Sequence, residues 1–355
     1  MTKDSKPAET PERLAFYEKI GRQAYAPLWT VLSDLVTGEP KSACQAHLWR
    51  FDQAREWLLE AGALITAQEA ERRVLILENP GMRGESKITT SLYAGLQLVL
   101  PGEVAPAHRH SQSALRFVVD GAGAHTSVNG ERTDMQFGDF VITPPWAWHD
   151  HGNNSDEPMI WMDGLDIPML SFFDASFAEK LGTDEQPISR QTGDSSARYG
   201  ANMLPVDYQQ RELASPIFNY PYSRSREALE VMRREQEWDP CHGLKMRYIN
   251  PVDGGFAMPT IAPFLQLLPA GFRSQPYRST DATVFVATEG SGRSIIDGQV
   301  FNWETKDIFV LPSWSWVSHE TDNDAVLFSF SDRSAQLKLG YWREQRGDAG
   351  NSQGA

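Results

Sequence analysis

The chain has 355 residues, 41% of them hydrophobic, and a formal net charge of −14, a size that admits two domains with sizeable cores. The acidic balance argues against sequence-independent nucleic-acid binding, which rests on basic patches, and no apolar run approaches the roughly 18–20 residues of a membrane-spanning helix. Only two cysteines, Cys44 and Cys241, are present, too few for a disulfide framework and in keeping with a reducing compartment. The opening Met1-Thr-Lys-Asp-Ser-Lys-Pro7 has no apolar core, so no secretion signal and a cytoplasmic, soluble protein are expected.

In chain order, Thr10-Pro11 reads as an N-cap with proline at the first helical position, opening a helix through about Tyr25. A second helix is predicted to start after Asp52 and stop at Gly62, with Trp57, Leu58 and Ala61 on one face. Arg72 to Leu77 reads as a strand and Asn79-Pro80-Gly81 as a turn. Strand-like runs follow at Leu115-Arg-Phe-Val-Val119 and Phe140-Val-Ile-Thr143, and Asn129-Gly130 is a strong hairpin signal between them. Residues 170–250 mix helix-like stretches, such as Arg224 to Gln236, with polar connections. The Gly/Ser-rich tail from Gly347 reads as disordered.

Chemistry concentrates in two of these segments. The first is Gly102-Glu-Val-Ala-Pro-Ala-His108-Arg-His110, and the second is Gly138-Asp-Phe-Val-Ile-Thr-Pro-Pro-Trp-Ala-Trp-His149. On a strand, residues i and i+2 share a face, so His108 and His110 can bind one metal ion, and His149 can complete a facial set. Three neutral imidazoles leave coordination positions open, as a catalytic metal requires. A lone His-x-His would be weak. The frame Gly102-x5-His108-x-His110-x10-Gly121, followed by Gly138-x5-Pro144-x4-His149, resembles the paired motifs of the cupin superfamily, small antiparallel barrels of the jelly-roll type. That pattern usually adds a glutamate ligand where this chain has Ala114, which leaves three histidines and no carboxylate.

The frame occurs twice. Gly271-x5-Tyr277-Arg-Ser279-x10-Gly290 repeats the first segment, Asp297-Gly298 matches Asn129-Gly130, and Lys306-Asp307-x4-Pro312 matches Gly138-Asp139-x4-Pro144. A repeat at that fidelity predicts two barrels of one kind. In the second copy Tyr277, Ser279 and Val317 stand where His108, His110 and His149 stand in the first. Only His319, matching His151, survives. One metal per chain, in the N-terminal barrel, is therefore expected.

Ala107-His-Arg-His-Ser-Gln-Ser-Ala-Leu-Arg-Phe-Val-Val119 and Trp161-Met-Asp-Gly-Leu-Asp-Ile-Pro168 are similar to the gentisate 1,2-dioxygenase family, which includes salicylate and 1-hydroxy-2-naphthoate dioxygenases. Glu78-Asn-Pro-Gly81, Asn250-Pro251 with Gly254-Gly255, and Leu311-Pro-Ser-Trp314 extend the resemblance over most of the chain. It implies a mainly β bicupin: two jelly-roll-type barrels with an N-terminal helical segment and helical connections. The expected divisions are a helical segment at 1–85, the metal-binding barrel at 86–170, and a partly helical connection at 171–250. A second barrel without ligands at 251–335 and a C-terminal helix with disordered tail at 336–355 follow. The resemblance further implies a homotetramer with one Fe(II) per chain that opens gentisate with O2 between the carboxyl-bearing and adjacent hydroxyl-bearing carbons, giving maleylpyruvate. Imidazole ligands alone suit Zn, Cu and Ni as well; iron is the family's implication.

Three neutral ligands leave the ion's charge uncompensated, and a salicylate-type acid can supply a carboxylate and an ionised hydroxyl. Arg116, six residues after His110, offers the planar fork that suits a carboxylate, and Arg72 is a second carboxylate contact by resemblance. His151, two residues beyond His149, is a candidate acid/base. Gln97 and Asp163 match pocket-lining positions of the family. Tyr93, on the strand face of Gln97, stands where the salicylate-cleaving relative has tryptophan, and could bind gentisate's second ring hydroxyl. The rival reading, a non-catalytic bicupin that binds a small ligand, leaves the one-sided loss of the histidines unexplained.

Overall fold

The computed structural model describes residues 9–234 and 237–347. Residues up to Lys41 form one compact unit and Ser42 onward another. In the first, Thr10 caps the helix Pro11–Gly21 by accepting from the Arg13 backbone N–H. That helix ends four residues short of the expected Tyr25 because Ala24 takes a left-handed backbone (φ 60°) and Tyr25 N–H bonds back to Ile20. Trp29 then donates to the Tyr17 hydroxyl.

The second unit holds two barrels of the same plan. In the first, a six-stranded sheet runs in the order Asn219–Tyr220, Phe140–Thr143, Ala114–Asp120, Met159–Leu165, Tyr93–Val99, Val74–Ile76. It faces a five-stranded sheet ordered Ala178–Lys180, Val104–His110, His149–Asn153, Ala124–Val128, Glu131–Asp134. The second barrel repeats this, with Ala262–Leu268, Thr283–Glu289 and Ala325–Ser331 at the centre of its six-stranded sheet. Both expected hairpins form, with positive φ at Asn129-Gly130 and at Asp297-Gly298, as a tight two-residue turn requires.

Strand alternation divides the residues between two cores. Leu96, Leu98, Leu115 and Phe117 point away from their own barrel and meet Leu265, Val284, Val326 and Phe328 of the other. Phe117 and Phe328 stack there with centroids 4.0 Å apart. The alternate residues, Gln97, Arg116, Trp161 and Asp163 among them, are turned into the first barrel, which is how one strand serves both a packing interface and a polar interior.

Several segments depart from the sequence expectations. Within 1–85, His47–Trp49 adds to the second barrel's sheet and Val74–Ile76 to the first's, so this stretch is not purely helical. The helix Phe51–Leu64 outruns its expected limits at both ends. Asp307, 256 positions away, accepts from Phe51 N–H and so supplies the missing cap. Within 171–250, Ala178–Lys180, Asn219–Tyr220 and Leu244–Arg247 are likewise sheet strands. The helix expected from Arg224 runs Tyr222–Arg233, and Gln236 lies outside the described residues. The C-terminal helix is Arg333–Leu339, and Glu344–Arg346 pairs with Tyr277–Ser279. The tail expected to be disordered lies, beyond Gly347, outside the described residues.

Candidate metal centre

His108 and His149 are direct partners across two antiparallel strands, with His110 two residues farther on. Their ring centroids lie 4.1 Å (His108–His149), 4.8 Å (His110–His149) and 5.4 Å (His108–His110) apart. Among the described residues this is the one cluster of three potential ligands, its candidate donor atoms all within 4.8 Å of one another.

The rings are prepared for a cation. His149 Nδ1 lies 2.9 Å from Ala147 O, and His110 Nδ1 lies 3.0 Å from Gln112 O. Carbonyls only accept, so each Nδ1 carries the proton and each Nε2 keeps its lone pair. His149 Nε2 is buried with no hydrogen-bond partner, a cost a native interior seldom bears without an ion or an ordered water. Burial, then the Arg72 guanidinium, pushes His108 down to about 3. Burial, then Arg116, pushes His110 down to about 4. His149 is likewise lowered, by burial first. All three rings are neutral near pH 7, as metal ligation requires.

His108 has a competitor. Arg72 Nη2 lies 2.7 Å from its Nδ1 and also donates to Pro106 O at 3.0 Å, while Pro106 O is 3.2 Å from the same Nδ1. Arginine can only donate and the carbonyl only accept, so the two ask opposite things of that nitrogen. A cation held on Nε2 would favour Nδ1–H toward Pro106, and Arg72 would then lose that nitrogen as an acceptor.

Beside the triad lies a buried network. Arg116 donates to Thr143 Oγ1 at 2.7 Å and to His151 Nε2 at 2.8 Å, and its Nε stands 3.5 Å from Asp163 Oδ1. Because Nε2 accepts from arginine, the His151 proton sits on Nδ1 and points to Thr126 Oγ1 at 2.8 Å. Thr126 in turn donates to Asp150 O. Burial, aided by Arg116, holds His151 well below its ordinary value, so the ring is neutral. Burial pushes the Asp163 carboxyl up to about 6 against the pull of Arg116 and Arg72, and Trp161 Nε1–H donates to it at 3.1 Å.

Gln97 pairs with Trp161 and Gly95 with Asp163 in the facing sheet. A Cβ on Gly95 would meet the Tyr93 hydroxyl at 2.9 Å and a Val74 methyl at 2.4 Å, so glycine there leaves room for the Tyr93 hydroxyl to lie along the sheet. Eight of the nine residues singled out from the sequence lie on strands of the first barrel, and Arg72 lies just before its strand Val74–Ile76. His108, His110 and His149 come together, Arg72 touches His108, and Arg116, His151 and Asp163 form one network. Tyr93 and Gln97 stand on the sheet opposite the histidines.

Sequence reasoning missed Thr126 and Thr143, whose bonds cross between strands, and Trp161, which bonds Asp163 within its own strand. It also missed a clamp: Arg109, between the two histidines but facing outward, lies over the rings of Trp146 and Trp148 at 4.5 and 4.6 Å and bonds Glu179. The second barrel has the same clamp, Arg278 over Trp314 and Trp316 at 4.5 and 4.7 Å. Trp146 and Trp314 both hold positive φ, 63° and 64°. The repeat offset alone could have revealed it.

Residues 95–167 match the cupin domain model. The chain is 69% identical over 346 residues to gentisate 1,2 dioxygenase 1 of Aquipseudomonas alcaligenes, covering 98% of this chain and 100% of that one. It is 33% identical to 5-aminosalicylate 1,2-dioxygenase of a Comamonas species, covering 93% and 89% of the two chains. Its fold is similar to that of salicylate 1,2-dioxygenase from Pseudoaminobacter salicylatoxidans, solved with gentisate (TM-score 0.91, 35% identity, 98% and 97% covered). With two barrels, a three-histidine group in one of them and these relatives over nearly its whole length, the chain belongs to the gentisate 1,2-dioxygenase family of bicupin ring-cleavage enzymes.

Proposed function

We propose that this enzyme is Fe(II)-dependent and opens gentisate with O2 between its carboxyl-bearing and adjacent hydroxyl-bearing carbons, giving maleylpyruvate in the catabolism of aromatic compounds. The observation that carries the reading is the orphaned Nε2 of His149, facing two neutral imidazoles next to two guanidinium groups. His108, His110 and His149 hold one iron per chain, which when bound supplies the Lewis-acid and redox chemistry that joins O2 to an aromatic ring. The family's homotetramer and a cytoplasmic location complete the proposal.

The side chains divide the remaining work. Arg72, displaced from His108, and Arg116, with only two of its five N–H donors committed to Thr143 and His151, bind the substrate carboxylate. His151, neutral and oriented by Thr126, takes the proton of the adjacent ring hydroxyl at Nε2 once Arg116 turns from that nitrogen to the substrate carboxylate and frees its lone pair. Asp163 balances the positive charge that Arg116 brings into the interior. Gln97 orients the bound reactants, and the Tyr93 hydroxyl meets gentisate's second hydroxyl, the group that salicylate lacks.

Oxygen uptake by Fe(II)-reconstituted protein tests this, with gentisate, salicylate and 1-hydroxy-2-naphthoate assayed in parallel. Uptake equimolar with gentisate and fastest on it is expected. Faster uptake on salicylate or the naphthoate would assign the chain to those siblings. Tightly bound iron with no uptake on any of the three would leave a non-catalytic ligand-binding bicupin.

A further inference from the structure

The second barrel has lost its ligands, yet its interior is not an ordinary apolar core. Lys245 and Gln266 are register partners turned into that barrel. The Lys245 ammonium lies 4.7 Å from the Phe264 ring centroid and, among the described residues, has neither a hydrogen bond nor a carboxylate within 4.0 Å. Arg333 lies over the same ring at 5.3 Å, bonds Tyr277 Oη at 3.1 Å, and is paired with buried Asp281 at 3.1 Å. The two carboxylates that act on Lys245 are both paired elsewhere, Asp281 with Arg333 and Asp239 with Arg346. Tyr277, the acceptor for Arg333, is the residue that replaces His108 in the repeat.

Two further groups are left unsatisfied. Gln266 is fully buried and gives its amide N–H to His242 O at 2.7 Å, but its Oε1 has no partner. Ser329 Oγ, on the register partner of Phe264, is also buried without one. Unpaired charges and acceptors in an interior are costly, and several of them on neighbouring strand positions fit a missing anion with a donor group. The Arg333 side chain is 15% exposed, and Lys245 is likewise partly buried.

We infer that the second barrel is a binding site for a small organic carboxylate bearing a hydroxyl. Lys245 and Arg333 hold the carboxylate, the Phe264 ring flanks it, and Gln266 Oε1 accepts from the hydroxyl. The barrel thus exchanges a metal-ligand set for an anion-ligand set on the same scaffold. Burial, then Arg333, pushes Lys245 down to about 7; an anion alongside would restore it.

The test is titration of the anaerobic iron-loaded enzyme with 4-fluoro-3-hydroxybenzoate, followed by 19F NMR and calorimetry. The wild type is expected to bind two equivalents per chain and Lys245→Met one, with gentisate-dependent oxygen uptake unchanged. Gln266→Leu should keep the second equivalent but weaken it about tenfold, the loss of one hydrogen bond. If Lys245→Met does not fold, that variant decides. Without ligand, Lys245→Met should melt higher than the wild type, because it removes an unpaired charge. A single equivalent in the wild type would overturn the inference. So would a second equivalent that survives Lys245→Met, or one displaced by equimolar phosphate, which would put an inorganic anion there instead.

Discussion

Asp163 makes the polar interior of the first barrel measurable. The residue is 6% exposed, and its carboxyl is pushed up to about 6 by burial, Arg116 and Arg72 opposing. In the unfolded chain it titrates near its ordinary value of about 3.9. Between those values the native protein holds a proton that the unfolded chain has lost. Stability therefore falls as pH rises through this window, the reverse of a carboxylate whose value is depressed. The full loss is about 3 kcal/mol, of which about 2 kcal/mol falls between pH 4.5 and pH 7. Asp163→Asn keeps an oxygen for Trp161 but cannot titrate. Urea unfolding of both metal-free proteins in half-unit pH steps should show the wild type losing about 2 kcal/mol relative to the variant over that range. Parallel profiles would mean that Asp163 ionises as it does in water, and the electrostatics given for the network would be wrong.

Other perturbations follow from single contacts. Thr126→Val removes the acceptor of His151 Nδ1–H; stability should drop by about 1–3 kcal/mol, while 15N shifts of the ring keep the Nδ1–H tautomer, because Arg116 can only donate to Nε2. Phe117→Ala opens the stack against Phe328 between the barrels and should cost about 3–5 kcal/mol in urea unfolding. Arg109→Leu removes both tryptophan contacts of the clamp. About 1–2 kcal/mol of stability should be lost, with faster release of metal to a chelator, since Arg109 sits between two of the ligands.

What the sequence carried was what repeats at short, fixed spacing. Period-two alternation placed His108 and His110 on one face, and positive-φ turns at Asn129-Gly130 and Asp297-Gly298 marked both hairpins. The constant offset between the copies showed two barrels and the loss of ligands from one. Contacts made through space were out of reach. Asp307 caps a helix 256 positions earlier, and short strands such as His47–Trp49 and Ala178–Lys180 owe their conformation to the sheets they join. Strand parity could turn Arg116 inward, but its bond to Thr143 crosses to the neighbouring strand of its own sheet and its bond to His151 crosses to the facing sheet, and neither follows from sequence spacing.

The central claim is that three histidines of the first barrel hold the catalytic metal and that the second barrel holds none. Iron content and oxygen uptake with gentisate, measured side by side for wild type, His149→Ala and His319→Ala, address it directly. His319 occupies the second barrel's counterpart of His151 and bonds Ser294 as His151 bonds Thr126, each at 2.8 Å. The expected result is one iron per chain in the wild type and in His319→Ala, with uptake retained, and neither iron nor uptake in His149→Ala. Iron retained without His149, or lost with His319, would contradict the account.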